Sequence, residues 1–199
     1  MMAEGIAIDG QEQSVHWERV MKAAESYFAS PSTENALRFY TALPQTEVPS
    51  QDRDAAFSKV FYYISGNLPI LEKQVLKADR NAVKAAIRLY TISDASFTEY
   101  QDRILGDLIR VNPRMFLEEL RYFPWPKVSS MDFKDWLKEG HIVCHGRALD
   151  ADINPEMNGA RARAELEMRI KALATVRDRG LRSLRDACIK GLRAYDPEY

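Results

Sequence analysis

Apolar residues return along this chain at the spacing of one helix face, and the runs are separated by residues that stop one helix and start another. Over 15–28, Trp17, Val20, Met21, Ala24 and Phe28 stand at i, i+3, i+4, i+7 and i+11, one side of a 3.6-residue helix. Ser30-Pro31-Ser32 breaks the run, and Ser32 or Thr33 is placed to cap a short helix carrying Leu37, Tyr40 and Leu43, which Pro44 ends. Ser50 is the expected cap for a helix with Phe57, Val60, Phe61 and Ile64. Gly66-Asn67 is expected to end that helix and restart the chain into a second one over 69–77. Asp79 or Asn81 opens the next, with Val83, Ala86, Ile87 and Tyr90. Ser93-Asp94 separates it from a run placing Phe97, Ile104, Leu105, Leu108 and Val111 on one side. Asn112-Pro113, a cap residue before a proline at the first helical position, begins a helix with Phe116, Leu120 and Phe123. No alternating β-branched run calls for a strand.

The organisation changes at Tyr122-Phe123-Pro124-Trp125-Pro126, because each proline disfavours helical geometry in the residue before it. A short helix through Phe133, Trp136 and Leu137 follows, ended by Gly140. The C-terminal segment is helical through Leu166, Ile170 and Leu173, then through Leu181, Leu184, Cys188 and Leu192. Gly180, after Arg177-Asp178-Arg179, reads as a C-cap with cations in the last turn. The pattern therefore predicts a flexible tail over 1–13, a helical array over 14–139, a connector over 140–159, and Arg-rich helices over 160–199. The expected fold class is all-α: stacked antiparallel helix pairs, solenoid-like or an irregular bundle, with a C-terminal helical hairpin. At least eight helices and no sheet of three strands are expected. The pairs around 51–77, 79–111 and 113–137 have similar dimensions, and over about 50–123 the chain resembles HEAT or armadillo-type helical-repeat proteins. That likeness is architectural, and it implies a surface for partners but no functional residues.

Composition narrows the function classes. The chain has 199 residues, 46% hydrophobic and 29% charged, which is enough apolar material for a core and too much for a disordered chain. No stretch approaches the roughly 18 consecutive apolar residues of a membrane span, so no membrane partner is expected. The segment 1–13 carries Glu4, Asp9 and Glu12 rather than a basic region, so it does not read as a signal peptide. The default location is cytoplasmic, although a mature exported chain would look the same. Net charge is -1, which makes nucleic acid an unexpected partner. The charge is uneven, however: residues 155–199 hold ten Lys+Arg against seven Asp+Glu, nearly all the cations being arginine. Cys144 and Cys188 are read as reduced and packed, since two cysteines make no disulfide framework.

Three groups bear on chemistry. His141-Ile142-Val143-Cys144-His145 is the best metal candidate by composition, but no second Cys/His pair stands at zinc-finger spacing, and no nucleophile elbow surrounds Cys144 as a Cys-His pair would need. Glu99 and Asp102 fall together on the flank of one helix, where an i,i+4 pair of Glu99 with Arg103 makes an outward charged face the expected outcome. Gly106, inside the same helix, costs roughly 1 kcal/mol against alanine, so a neighbouring helix or a ligand should approach there. Asp150-Ala151-Asp152-Ile153-Asn154 begins like a calcium loop but lacks the glycine at its sixth position and the glutamate at its twelfth.

With no convincing catalytic constellation, the expected function is a non-catalytic protein-binding module, an adaptor or an inhibitor of another protein, needing no cofactor. The candidate binding residues are Trp125, Tyr122 and Tyr62 as aromatic anchors, with Arg161, Arg163 and Arg169 as the cationic surface. The Tyr122–Trp125 stretch either caps the last apolar face of the array or forms part of that docking surface. The alternative is an enzyme or metal-dependent protein using His141, Cys144 and His145. A third reading is nucleic-acid binding through the Arg-rich helices.

Overall fold

The computed structural model describes residues 16–44, 48, 54–92, 95–122, 144 and 159–194. Eight α-helices and no strand lie among the described residues: α1 (Trp17–Ala29), α2 (Thr33–Ala42), α3 (Ala55–Leu76), α4 (Arg80–Ile92), α5 (Ala95–Val111), α6 (Pro113–Tyr122), α7 (Gly159–Ala174) and α8 (Arg182–Ala194). A 3-10 turn over Arg179–Leu181 leads into α8. The 1–13 tail, the segment of Phe133, Trp136 and Leu137, and the 140–159 connector apart from Cys144 and Gly159 lie outside the described residues.

Short polar side chains start the helices by taking up backbone N–H groups that have no partner in the first turn. The Ser32 hydroxyl accepts from Asn35 N at 3.2 Å. Asp79 Oδ1 accepts from Asn81 N and Ala82 N at 2.9 and 3.0 Å, and Asn112 Oδ1 from Met115 N at 3.1 Å. The cap of α3 is Asp54 rather than Ser50: its Oδ1 accepts from both Ala56 N and Phe57 N at 2.9 Å.

The restart expected at Asn67-Leu68-Pro69 does not occur, and α3 runs through Pro69 as one helix of 22 residues. A proline in a helix interior costs about 3 kcal/mol. Against it, Ile64, Leu68, Leu71 and Val75 keep helical spacing and are all buried, each contributing about 1.5–3 kcal/mol. The Pro69 ring faces solvent. Helix α3 ends in a Schellman motif: Asp79 N donates to Gln74 O at 3.2 Å and Ala78 N to Val75 O at 2.9 Å. Ala78 occupies the left-handed position with φ 61°, where glycine is the usual residue.

The helices pack as a ladder. Odd-numbered helices touch in series, α1 on α3, α3 on α5 and α5 on α7; even-numbered ones do the same, α2 on α4, α4 on α6 and α6 on α8. Within each pair, α1–α2, α3–α4, α5–α6 and α7–α8 also touch. The result is two layers of stacked helix pairs with a C-terminal hairpin. The Thr33 hydroxyl donates to Asp79 Oδ2 at 2.6 Å and Asn81 Nδ2 donates to Thr33 O at 3.0 Å, pinning α2 to α4. At the N-terminal end rings make the contacts: within one layer Trp17 of α1 lies edge-on to Phe57 of α3 at 5.1 Å, and between the layers Tyr27 and Phe28 of α1 pack on Phe39 of α2 at 5.5 and 5.6 Å.

Two stripes are corrected by this packing. In α2 the buried side is Ala36, Phe39 and Leu43, while Leu37 is exposed. In α5, Ile104, Leu105 and Leu108 are buried as expected and Val111 is exposed, but Gln101 and Asp102 are buried too. Asp102 therefore does not lie on an outward charged face. Helix α5 touches α3, α4, α6 and α7, so its buried arc is wider than a single apolar stripe.

Candidate functional site

Charged side chains gather in two places, one inside the molecule and one on its surface. The inner one is built on the absent side chain of Gly106: a Cβ there would overlap the guanidinium of Arg169. The close approach expected at Gly106 is thus made by a side chain of α7. Arg169 is 2% exposed, so it is not part of a cationic surface, contrary to expectation. Its Nε donates to Glu165 Oε1 at 3.0 Å, and the other oxygen of Glu165 accepts from Arg110 Nη1 at 3.1 Å. Arg110 also lies 3.7 Å from Asp107. Burial raises the Asp107 pKa above its usual value, and Arg110 and Arg169 oppose that rise. Buried charges persist only when paired, and Arg169 and Glu165 are paired here, with the half-exposed Arg110 completing the group. Its chemistry is to lock α7 onto α5.

A similar clasp joins α3 to α5. The Tyr100 hydroxyl donates to Glu72 Oε2 at 2.9 Å, and Arg103 donates to the same oxygen at 3.2 Å. The Arg103 guanidinium lies 4.2 Å from the centre of the Tyr100 ring. Burial and the carboxylate of Glu72 push the Tyr100 phenol up to about 12. Arg103 thus serves a contact between helices. Between α4 and α6, Arg80 bridges Glu118 and Glu119. The hydrogen bond from Arg80, then that from Arg114, holds the Glu118 carboxyl below its usual range.

The outer place is the turn between α7 and α8. Helix α7 ends at Ala174, so Gly180 is not its C-cap. Instead Asp178 caps the 3-10 turn, its Oδ1 accepting from Gly180 N at 2.8 Å. Gly180 also admits Arg121, whose Nη1 donates to Gly180 O at 2.9 Å; a Cβ on Gly180 would stand 2.6 Å from that nitrogen. Asp178 faces Arg114 at 3.6 Å, and Asp186 is held by Arg185 at 2.7 Å. The acids of the turn are engaged. Arg177, Arg179 and Arg182 are exposed, and among the described residues none of the three joins an ion pair. Arg121, which donates to Gly180 O, also lies with its guanidinium 5.2 Å from the ring centre of Tyr122, which is 72% exposed.

The expected site residues are scattered. Tyr62 is 85% exposed on α3, whereas Tyr63 turns toward Phe28 at 6.1 Å. Arg161 and Arg163 are exposed on the first turn of α7, and neither is a free cation. Trp125, His141 and His145 lie outside the described residues. Cys144 is bonded to Cys188 with the Cα atoms 5.2 Å apart, within the span a disulfide bridges. The expectation of two reduced cysteines is thereby corrected, and the disulfide sulfur of Cys144 is neither a thiolate ligand nor a nucleophile. Among the described residues no group of three His, Cys, Asp or Glu could hold a metal ion, and no helix is long and apolar enough to cross a membrane. In the sequence Arg177 and Arg179 have the look of cations ending a helix, and Arg182 carries no local signal of a surface. No protein-family model, curated protein or solved structure matches this chain.

Proposed function

We propose that the chain is a non-catalytic protein-binding module, an adaptor or an inhibitor of a partner protein. The observation that carries this reading is the use made of its ionisable groups: Glu72, Arg80, Glu118 and Glu165 are engaged in contacts between helices, and Arg169 is buried against Gly106 of the facing helix. A stack of helix pairs offers broad outer faces suited to a protein partner. Tyr62 and Tyr122 stand out on such faces, and tyrosine is a favoured anchor because it brings large contact area at low entropic cost. The disulfide favours an oxidising compartment over the cytoplasmic default. Cross-linking in the native organism, followed by reconstitution of the captured protein with the purified chain, tests the reading. A complex of defined stoichiometry, weakened by Tyr62→Ala or Tyr122→Ala without loss of thermal stability, supports it. Turnover of a small molecule by the purified chain, with no such complex, overturns it.

A further inference from the structure

We propose that the turn between α7 and α8 is the docking point for an acidic segment of that partner, with Arg177, Arg179 and Arg182 gripping carboxylates and Tyr122 packing alongside. This rests on the reading as a protein-binding module. Three arginines in six residues concentrate positive charge at one bend of the chain, and like charges so close repel one another unless something anionic is brought to them. The nearby acids do not supply it, since Asp178 is occupied by Gly180 N and Arg114 and Asp186 by Arg185. Arginine rather than lysine at all three positions favours forked hydrogen bonds to carboxylates.

The base of the turn is also built rather than loose. Arg121 donates to Gly180 O, Arg185 Nη1 donates to Val176 O at 2.8 Å, and Asp178 Oδ1 accepts from Gly180 N. The backbone that carries the three free arginines is therefore held before a partner arrives, which lowers the ordering cost of binding. A nucleic-acid strand is the less fitting occupant. Single-strand binders track the backbone with a groove of cations over several nucleotides, whereas here the three arginines stand within six residues of a single bend.

The test uses the full chain with its disulfide intact and two fluorescent probes, a short Glu-rich peptide containing one phenylalanine and an oligothymidylate of equal charge. Binding is followed by anisotropy at low and at physiological salt. The expected result is salt-sensitive binding of the peptide, weakened about tenfold by Arg177→Ala/Arg179→Ala/Arg182→Ala, the loss of three exposed charge pairs, with an unchanged melting temperature. The triple lysine variant keeps the charge without the fork and should bind at an intermediate level. Equal peptide binding by the wild-type and triple-alanine chains overturns the proposal, as does tighter binding of the oligothymidylate, or no binding of the peptide at low salt. The captured partner separates this from the broader reading. A partner held equally well by both chains leaves the binding module standing and removes the turn from it. A peptide bound at the turn with no partner complex retires the module reading, and this proposal with it.

Discussion

The two halves of the ladder are held together by different chemistry. From α1 to α4 the helices meet chiefly through rings and aliphatic side chains: Trp17 on Phe57 and Phe61, Tyr27 and Phe28 on Phe39, with Ile64, Leu68, Val83 and Ile87 buried among the same helices. From α5 to α8 the joints include Glu165 with Arg110, Arg169 against Gly106, Arg114 with Asp178 and Arg121 with Gly180 O, and α8 carries the Cys144–Cys188 bond. The first half rests mainly on the non-directional burial of apolar surface, with the hydrogen bonds of Thr33, Asp79 and Asn81 between α2 and α4 as its directional contacts. The second adds ion pairs and a covalent bond, each of which fails if a single partner is removed. The same ladder can thus be assembled from two sets of forces, and the sets respond differently to salt, redox state and mutation.

The sharpest probe of the apolar half is Phe39→Ala. Truncating this fully buried ring should cost about 3–5 kcal/mol in urea denaturation, and the loss should be the same at low and high salt and with or without reductant. A loss that varied with salt or reductant would break the contrast between the halves. Next in size comes the covalent joint. Reducing the disulfide, or Cys188→Ser, should cost about 2–4 kcal/mol. Hydrogen exchange should show the loss of protection concentrated in α7 and α8, and an equal loss in α1 and α2 would show that the halves do not respond separately.

Gly106→Ala tests the buried charge group. The new methyl competes with the Arg169 guanidinium for one space, so the expected cost is about 1–3 kcal/mol. Because the two positions touch, Gly106→Ala and Arg169→Met should be non-additive by more than about 0.5 kcal/mol in a double-mutant cycle. Strict additivity would mean that Arg169 does not rest on Gly106.

The smallest effect lies in the apolar half. Ala78→Gly should stabilise the protein by about 0.5 kcal/mol, since relief of the left-handed penalty of about 1–2 kcal/mol is offset by the extra unfolded-state freedom of glycine, about 0.5–1 kcal/mol. A destabilisation read from the urea midpoint would contradict the positive φ at this residue.

The helices were legible because their determinants are local. Ser32, Asp79 and Asn112 cap helices within three residues of themselves, and Trp17, Val20, Ala24 and Phe28 share a face whatever they pack against. The misread features depend on distant chain. Pro69 looks like a stop until the stripe on either side of it is seen to be buried continuously. Arg169, two residues before Lys171 on an Arg-rich helix, carries no local mark of burial; its pocket is supplied by Gly106 on α5. Cys144 and Cys188 are separated by 44 positions, and no periodicity reports their proximity. Of the candidate site, the sequence singles out Tyr62 and Tyr122 as aromatic anchors but leaves open whether Tyr122 caps the array or faces solvent, and the separation of free from engaged arginines requires knowing which acids each one meets.

The ladder also bears on how the chain reaches its folded state. Each helix makes its substantial contacts with its neighbour or with the next helix but one, so contacting residues tend to be close along the chain, and low contact order speeds folding because little loop-closure entropy precedes the first productive contacts. Structure can nucleate in any adjacent set of helices and propagate outward. The terminal hairpin of α7 and α8 is reached last when nucleation starts among the aromatic helices, and it docks through Arg110–Glu165 on α5 and through Arg114 and Arg121 on α6. The bond between Cys144 and Cys188, 44 positions apart, closes a covalent loop around α7 and the first half of α8, so the two helices stay near each other even in the unfolded chain.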